Sequence, residues 1–161
     1  MDKTNVMRLL DQKKVPYTPR HYNPGVTDGL SVAALTGTDP AFVFKTLVTT
    51  GASKKNYVFV IPVNRELDLK KAAKAVGEKS IAMLRQVQLQ PLTGYVHGGC
   101  SPLGMKKQLK TVLDSSAQGL PRMLVSAGRI GTQVELSPGD LAALCRAEFA
   151  AVVTVASPEL E

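Results

Sequence analysis

Three side chains with acyl-transfer chemistry lie close together in the segment YVHGGCSPLG, residues 95–104. A histidine can act as the base that activates a neighbouring thiol or hydroxyl as a nucleophile, and His97, Cys100 and Ser101 offer that combination. However, no Asp or Glu lies nearby in the sequence to orient the imidazole, and the GxSxG pattern of a nucleophile elbow is absent. The segment therefore favours a surface or half-buried histidine and a small, packed cysteine over a catalytic triad.

The backbone of the same segment supports a second interpretation. Gly98 and Gly99 allow a ligand to approach the main chain closely, while Pro102 stiffens the exit and Gly104 permits another turn. Such a loop can direct amide N–H groups towards a carbonyl oxygen that becomes negative during a reaction. A tight structural turn fits the same residues, so both interpretations stay open at this point.

Lys45 differs from most lysines of the chain because it lies in an apolar run, VFKTLV (residues 43–48). A lysine in a pocket can hold a carboxylate, a phosphate or a carbonyl oxygen. A strand lysine can instead extend past its apolar neighbours and place its ammonium group in water. A third segment, SAGRIG (residues 126–131), predicts a turn between two strands, because it lacks the glycine-lysine pattern of a Walker motif.

The formal net charge of +7 makes a polyanionic partner plausible. Most of the lysines fall into four groups: Lys13 and Lys14; Lys54 and Lys55; Lys70, Lys71 and Lys74; and Lys106, Lys107 and Lys110. Phosphate binding requires several of these groups to share one side of the molecule. Aromatic residues make up only 5% of the chain, without Trp, which disfavours a broad surface for base stacking.

Hydrophobic spacing and the helix and turn signals predict the elements that position these residues. Helices are predicted over residues 4–14, 31–37, 68–76 and 137–150, with caps at Ser31, Asp68 and Ser137 and a further helix start at Asp39. Strands are predicted over residues 44–50, 56–63, 80–84, 93–99, 110–116, 122–128 and 132–137, and residues 15–22 predict an edge strand or extended segment. A short helix over residues 85–89 is predicted to end before Pro91, and residues 156–161 predict a loose tail.

Length and composition indicate one globular domain over residues 1–161, with 44% hydrophobic and 20% charged side chains. No apolar run reaches the ~18 residues of a membrane helix, and the N-terminal segment is too polar for a secretory signal. The two cysteines make neither a disulfide framework nor a four-ligand zinc site. We therefore expect a cytoplasmic protein without metal, cofactor or membrane partner, and a mixed, curled sheet or barrel with helices around it.

Three separated motifs occur in the order found in one known family: VFKTLV, GYVHGGCSPLGMKK and VSAGRIGTQVELSPGDL. Together they resemble the YbaK/EbsC family, the free-standing relatives of the prolyl-tRNA synthetase editing domain. The intervening segment LDLKKAAKAVGEKSIAM is similar to that family's helix and following strand, so the likeness covers roughly residues 6–149. It implies an α/β fold of the α+β type with a curled, barrel-like sheet, and removal of a wrong amino acid, typically cysteine, from proline tRNA.

The resemblance also implies which residues form the site. The family's essential lysine matches Lys45, and its backbone donors match Gly98 and Gly99. Its substrate-binding positions match Tyr22, Cys100, Ser101, Pro102, Ser126, Gly128, Gly131 and Gln133. Gln133 stands where close relatives carry an aspartate, and His97 and Cys100 stand where relatives carry apolar residues.

The resemblance further implies that main-chain amides hold the ester carbonyl, that Lys45 anchors the aminoacyl-adenosine end, and that the substrate's own thiol attacks its carbonyl. The tRNA phosphates would be held by Lys70, Lys71, Lys74, Lys106 and Lys107, and prolyl-tRNA synthetase is a further expected partner. Three alternatives stay open. They are a deacylase for another small amino acid such as alanine, a non-catalytic module that binds tRNA or a synthetase, and a thiol enzyme that uses Cys100 and His97.

Overall fold

The computed structural model describes residues 2–25 and 28–155. Within these ranges the α-helices are α1 (Asn5–Gln12), α2 (Gly29–Leu35), α3 (Leu69–Val76), α4 (Leu89–Thr93) and α5 (Pro138–Cys145). The strands are β1 (Thr18–His21), β2 (Phe44–Gly51), β3 (Asn56–Pro62), β4 (Ile81–Met83), β5 (Lys110–Asp114), β6 (Met123–Arg129), β7 (Thr132–Leu136) and β8 (Glu148–Ala150). No helix in these ranges combines the length and the hydropathy of a membrane span.

The strands form two sheets, with the orders β1-β7-β6 and β4-β2-β3-β5-β8. The smaller sheet is antiparallel. The larger sheet is mixed, because β2 pairs antiparallel with β3 and β4 while β5 pairs parallel with β3 and β8. A parallel bridge between Val43 and Leu124 brings the start of β2 beside β6 and connects the two sheets. The predicted mixed α/β class is confirmed.

β3 is buried on both faces, which accounts for its continuous apolar sequence. Val58 and Val60 pack into a large core with α1, α5 and the smaller sheet, whereas Phe59 and Ile61 pack on the opposite face with α3. Burial of each such side chain stabilises the fold by about 1.5–3 kcal/mol. The core therefore fixes β3 firmly, and with it the paired strand β2 that carries Lys45.

The local signals for helix ends are confirmed at several positions. The Asp68 side chain accepts hydrogen bonds from the first turn of α3, and Gly77 ends that helix with a φ of 74°. Ser137 caps α5 through a hydrogen bond of 3.1 Å. Asp39 begins a short 3-10 helix over Pro40–Phe42. In each case a short polar side chain satisfies an N–H group that has no partner within the helix.

Two helix predictions are wrong in detail. Ser31 does not cap α2; Asp28 does, and the Ser31 N–H donates to its carboxylate at 3.3 Å. The predicted helix over residues 137–150 is too long, because Arg146 adopts a φ of 53° and ends α5. The chain then turns so that β8 pairs parallel with β5. The predicted tail over residues 156–161 lies outside the described residues.

The segment around Pro91 also differs from its prediction. The helix continues through Pro91 to Thr93, because this proline lies in the first turn of α4, where a backbone N–H has no partner within the helix. The predicted strand over residues 93–99 is absent from the described structure, and a helix end and a turn take its place. Gly94 ends α4 with a φ of 86°, and the Tyr95 hydroxyl donates to the Leu103 carbonyl, so the segment folds back on itself.

Candidate functional site

A cavity of about 430 Å³ opens where the two sheets meet. Its wall contains residues of β2, β6, β7, α2 and the segment from β4 to α4. It also contains residues of the loop over positions 95–104, which follows α4 and is called the glycine-rich loop below. Six of the residues implied by the family resemblance line it: Tyr22, Lys45, Gly98, Cys100, Ser126 and Gln133. The lysine in the apolar run and the glycine-rich loop therefore converge on one cavity.

Strand register explains why polar side chains of three strands meet in this wall. The bridge between Val43 and Leu124 is parallel, and Lys45 and Ser126 each follow it by two residues, so each lies on the same face of its strand as the bridged residue. In the antiparallel pair of β6 and β7, Ser126 is the partner of Gln133. Lys45, Ser126 and Gln133 thus reach one cavity wall from β2, β6 and β7.

Most of the remaining wall is apolar, and Lys45 is half-buried in it. The apolar contributions come from Val32, Val43, Phe44, Leu47, Val48, Val63, Met83, Leu84 and Leu89. A charge beside such a wall is less screened than one on the open surface, so it interacts more strongly with polar atoms of a ligand. The arrangement suits a small ligand with an apolar side chain and one group that needs a cation.

A carboxylate lies at the same cavity. Asp28 accepts hydrogen bonds from the hydroxyl and the N–H of Ser31 at 2.7 and 3.3 Å. The hydrogen bond from the Ser31 hydroxyl lowers the pKa of Asp28 most, and the charge of Lys45 contributes in the same direction. Asp28 is therefore a carboxylate at neutral pH, and it lines the same cavity as Lys45.

The glycine-rich loop presents main-chain donors to the cavity. Gly98 adopts a φ of 88°, which favours glycine. The N–H of Gly99 is used within the loop, because it donates to the Val96 carbonyl at 3.0 Å. By contrast, the N–H groups of Gly98 and Cys100 meet no protein acceptor among the described residues. Both residues line the cavity, so their N–H groups are the candidate main-chain donors for a ligand.

Gly99 and Ser101 lie behind the cavity wall and hold the loop in place. A Cβ atom at Gly99 would stand 3.0 Å from the Ile130 nitrogen, so only glycine fits against that backbone without a shift. Ser101 is fully buried, and its hydroxyl accepts a hydrogen bond from the Leu103 N–H at 3.2 Å. The glycine-rich loop thus packs closely against the turn between β6 and β7 at Gly99.

Three further residues implied by the resemblance also occupy supporting positions. The Pro102 carbonyl accepts a hydrogen bond from the Cys145 thiol at 3.4 Å. Gly128 faces Tyr95, and the Gly131 carbonyl accepts a hydrogen bond from the Tyr22 N–H at 3.0 Å. These contacts position the loops and the Tyr22 segment around the cavity.

Comparisons with known proteins identify the family. Residues 24–144 match the sequence profile of a family described as the aminoacyl-tRNA editing domain. The chain belongs to this family. A relative from Enterococcus faecalis, named as a candidate Cys-tRNA(Pro)/Cys-tRNA(Cys) deacylase, EbsC, is 46% identical over 154 residues that cover 94% of each chain. The resemblance to the YbaK/EbsC family is therefore confirmed.

Solved structures agree with this assignment at the level of the fold. The structure of a candidate trans-editing enzyme for prolyl tRNA synthetase has a TM-score of 0.82 at 22% identity, and the match covers 96% of this chain and 100% of that one. A hypothetical protein gives a TM-score of 0.85 at 22% identity over 92% of this chain and 99% of its own. This editing-domain fold thus extends over nearly the whole chain.

The thiol and imidazole of the glycine-rich loop lack the features of a nucleophile and its base in the described part of the chain. Burial raises the pKa of Cys100 to about 12, so its thiol is protonated at neutral pH. His97 is exposed at the cavity edge, and no hydrogen bond joins it to a carboxylate among the described residues. Their placement agrees with a packed cysteine and a surface histidine.

The lysines implied for tRNA contact occupy two regions of the editing domain. Lys70 and Lys74 are exposed on α3, whereas the Lys71 ammonium group donates to the Val153 carbonyl at 3.0 Å and so supports the C-terminal segment. Lys106 and Lys107 are exposed directly after the glycine-rich loop, and the Lys106 N–H donates to the Thr93 carbonyl at 3.0 Å. The second pair is therefore tied to the end of α4, whose first residue lines the cavity.

Sequence reasoning missed several wall residues of this family's cavity. Thr46 follows Lys45 directly, and Asp28 begins α2, but neither belongs to a distinctive motif. Gln86 and the apolar residues of β4 and α4 come from a segment predicted only as secondary structure. Within the described residues, no three His, Cys, Asp or Glu side chains are grouped so that they could hold a metal ion.

Proposed function

We propose that this chain is a trans-acting aminoacyl-tRNA deacylase that removes cysteine from Cys-tRNA(Pro). The observation that carries the proposal is that Lys45, Gly98 and Cys100 line one largely apolar cavity, and that the N–H groups of Gly98 and Cys100 have no acceptor within residues 2–25 and 28–155. Membership of the aminoacyl-tRNA editing domain family supports the reaction class. The name of the Enterococcus relative supports cysteine as the amino acid.

The N–H groups of Gly98 and Cys100 hold the ester carbonyl oxygen of the substrate. As the carbonyl carbon becomes tetrahedral, its oxygen gains negative charge, and fixed donors in a partly apolar site stabilise that charge strongly. Lys45 adds a positive charge on the other side of the cavity and binds the aminoacyl-adenosine end. Gly99 contributes by holding the loop against the β6–β7 turn, since its own N–H is already used.

The nucleophile comes from the substrate. Because the thiol of Cys100 is protonated at neutral pH, it is a poor attacking group. The thiol of the cysteinyl group attacks its own ester carbonyl, so a C–S bond forms and the C–O bond to the ribose breaks. The thiol proton passes to the ribose oxygen, which leaves with the tRNA. The product is a four-membered thiolactone that water opens to free cysteine.

Positioning accounts for much of the expected rate. A cavity of about 430 Å³ lies at the lower end of the range for small-ligand sites, so the aminoacyl group has few orientations available. Holding reacting groups in contact replaces the entropy that a free encounter would lose, and the effect can reach several kcal/mol. The tRNA body stays outside the cavity, where lysines contact its phosphates with little reading of bases.

The proposal includes the partners and the cell compartment. The acceptor end of tRNA(Pro) is the substrate, and prolyl-tRNA synthetase is a partner that delivers or identifies the mischarged tRNA. The reaction belongs in the cytoplasm, where tRNA is charged. We propose residues 1–161 as one functional unit, because the wall of the cavity draws on segments from Tyr22 to Gln133.

A deacylation panel tests this function. Purified protein is incubated with tRNA(Pro) charged with cysteine, alanine or serine, with and without prolyl-tRNA synthetase, and the remaining ester is measured. We expect rapid loss of the cysteinyl ester and survival of the seryl ester, because a hydroxyl is a much weaker nucleophile than a thiol. Preferred loss of the alanyl ester would assign the protein to alanine instead. Binding of all three without release would indicate a non-catalytic module.

The Lys45→Ala variant tests the role of the cation in the same assay. We expect its rate to fall by at least about 100-fold, a typical effect of removing one group that stabilises the transition state. Lys55→Ala is the matched control, since Lys55 is exposed at the hairpin between β2 and β3. Full activity of folded Lys45→Ala would remove this lysine from the mechanism.

A further inference from the structure

Two side chains in the cavity wall have buried oxygens without a partner. Gln133 has 6% of its surface exposed, and its side-chain oxygen accepts no hydrogen bond within the described part of the chain. The hydroxyl oxygen of Thr46 is buried and unpaired in the same way. Both residues line the cavity. Buried polar groups are nearly always hydrogen-bonded in folded proteins, so two exceptions in one wall point to a ligand that supplies the missing partners.

The backbone holds both groups in fixed places. Gln133 is paired on one side with Arg20 of β1 and on the other with Ser126 of β6, and Thr46 is paired with Val60 in the larger sheet. The strand pairing fixes the backbone positions, while both oxygens are shielded from solvent in the described structure. A ligand donor that enters the cavity therefore meets them only after the two side chains turn towards it, and this motion leaves the paired strands in place.

The chemistry of an aminoacyl ester decides which of its groups fits. The ester carbonyl only accepts hydrogen bonds, and a thiol is a weak donor. The α-amino group carries two or three N–H donors, which matches two unpaired acceptors. Gln133 is neutral, so it does not compete with the ester for the ammonium group of Lys45, which lines the same cavity.

We propose that Gln133 and Thr46 bind the free α-amino group of the aminoacyl ester and thereby make it a required feature of the substrate. This inference depends on the deacylase function proposed above. The loop amides hold the carbonyl oxygen, and Gln133 and Thr46 hold the nitrogen, so two substituents of the substrate Cα are fixed and the thiol is aimed at the carbonyl carbon. An ester whose amino group is blocked, as in peptidyl-tRNA, is rejected.

The test compares two substrates that both carry the thiol: cysteinyl-tRNA(Pro) and 3-mercaptopropionyl-tRNA(Pro), which lacks the amino group. Each rate is divided by the rate of that ester in buffer alone, which corrects for intrinsic reactivity. We expect the unaltered protein to prefer the cysteinyl ester about 10- to 100-fold, the range for one to two hydrogen bonds to buried groups. Gln133→Met and Thr46→Val keep the side-chain volume but remove the acceptor, and each should lower this preference, to within about threefold for Gln133→Met.

The outcomes separate this inference from the function on which it depends. If the unaltered protein releases neither acyl group, the deacylase function itself is wrong. If it releases cysteine but shows no preference for the amino group, or if folded Gln133→Met keeps the full preference, amine recognition by Gln133 is wrong. Should Gln133→Met fail to give a native circular dichroism spectrum, the same decision rests on Thr46→Val. Lys55→Ala serves as the control and should keep the preference of the unaltered protein.

Discussion

Cys100 shows how burial decides between two chemical roles for one side chain. The residue lines the cavity and packs against the main core, and burial raises the pKa of its thiol to about 12. Relative to the ordinary value of 9.0, this shift reduces the thiolate fraction at pH 8 about a thousandfold. A thiol in that state packs as a small apolar group, and the reactive sulfur of the proposed mechanism belongs to the substrate.

We therefore predict that Cys100→Ala keeps turnover of Cys-tRNA(Pro) within about threefold, measured with the same deacylation assay. Alkylation by iodoacetamide at pH 8, followed by mass spectrometry, should be much slower for Cys100 in the folded protein than in urea. Alkylation is slower in the folded protein because folding raises the pKa of this thiol. The unfolded thiol ionises at a lower pH, so more of it is thiolate at pH 8. A variant without activity but with native stability would restore Cys100 as a candidate nucleophile.

Gly128 joins three elements at one point, and its conformation requires glycine. The register of β6 and β7 shifts between Ser126 and Arg129, and Gly128 within this irregularity has a φ of 98°. A Cβ atom there would lie 3.1 Å from a Tyr95 ring carbon and 3.2 Å from a Val6 methyl group. Strand β6, helix α1 and the glycine-rich loop meet at this position.

We predict that Gly128→Ala lowers the free energy of unfolding by about 1–3 kcal/mol, because alanine is strained at this φ and its methyl group displaces Tyr95 or Val6. Urea unfolding measures the change. Gly119→Ala is the control, since a Cβ atom at Gly119 meets no atom within 4 Å, and its effect should stay within about 0.5 kcal/mol. Equal unfolding midpoints for the two variants would contradict this account of the junction.

Local sequence signals predicted the elements well where one residue governs an end. Helix α3 begins after Asp68 and ends at Gly77, as expected. The cap and the left-handed glycine each depend only on the nearest helical turn, so a short stretch of sequence is enough to predict them. The strand prediction for residues 93–99 is wrong, because the helix end at Gly94 and the contact of Tyr95 with Leu103 outweigh the β-rich composition of this segment. Tertiary contacts of this kind cannot be read from a window of neighbouring residues.

The cavity was predictable in part for a related reason. Lys45 and the glycine-rich loop stand out because their motifs occur in the order of a known family. Thr46 and the apolar wall from β4 and α4 do not stand out, because they acquire a role only when distant segments meet. Asp28 was missed for the same reason, because its hydrogen bonds to Ser31 and its place at the cavity with Lys45 become visible only in the folded chain.

Two exposed lysine pairs of the molecule differ in where they lie relative to the cavity. Lys106 and Lys107 follow the glycine-rich loop, and the Lys106 backbone is tied to the end of α4, whose first residue lines the cavity. Lys54 and Lys55 lie at the tip of the β2–β3 hairpin. That tip is about 20 Å from Lys45 along β2, at ~3.4 Å for each residue. We therefore expect a tRNA acceptor end that is held in the cavity to bring its phosphates towards Lys106 and Lys107.

We predict that the double variant Lys106→Ala, Lys107→Ala raises KM for Cys-tRNA(Pro) while kcat changes little, because these lysines bind phosphates and not the reacting ester. The slope of log binding constant against log salt concentration should become shallower by about two, one unit for each phosphate that is no longer neutralised. The double variant Lys54→Ala, Lys55→Ala removes the same charge at the hairpin tip, so it separates local phosphate binding from the effect of net charge. Equal salt slopes for the two double variants would mean that tRNA is attracted by the overall charge of +7 and not by a surface beside the cavity.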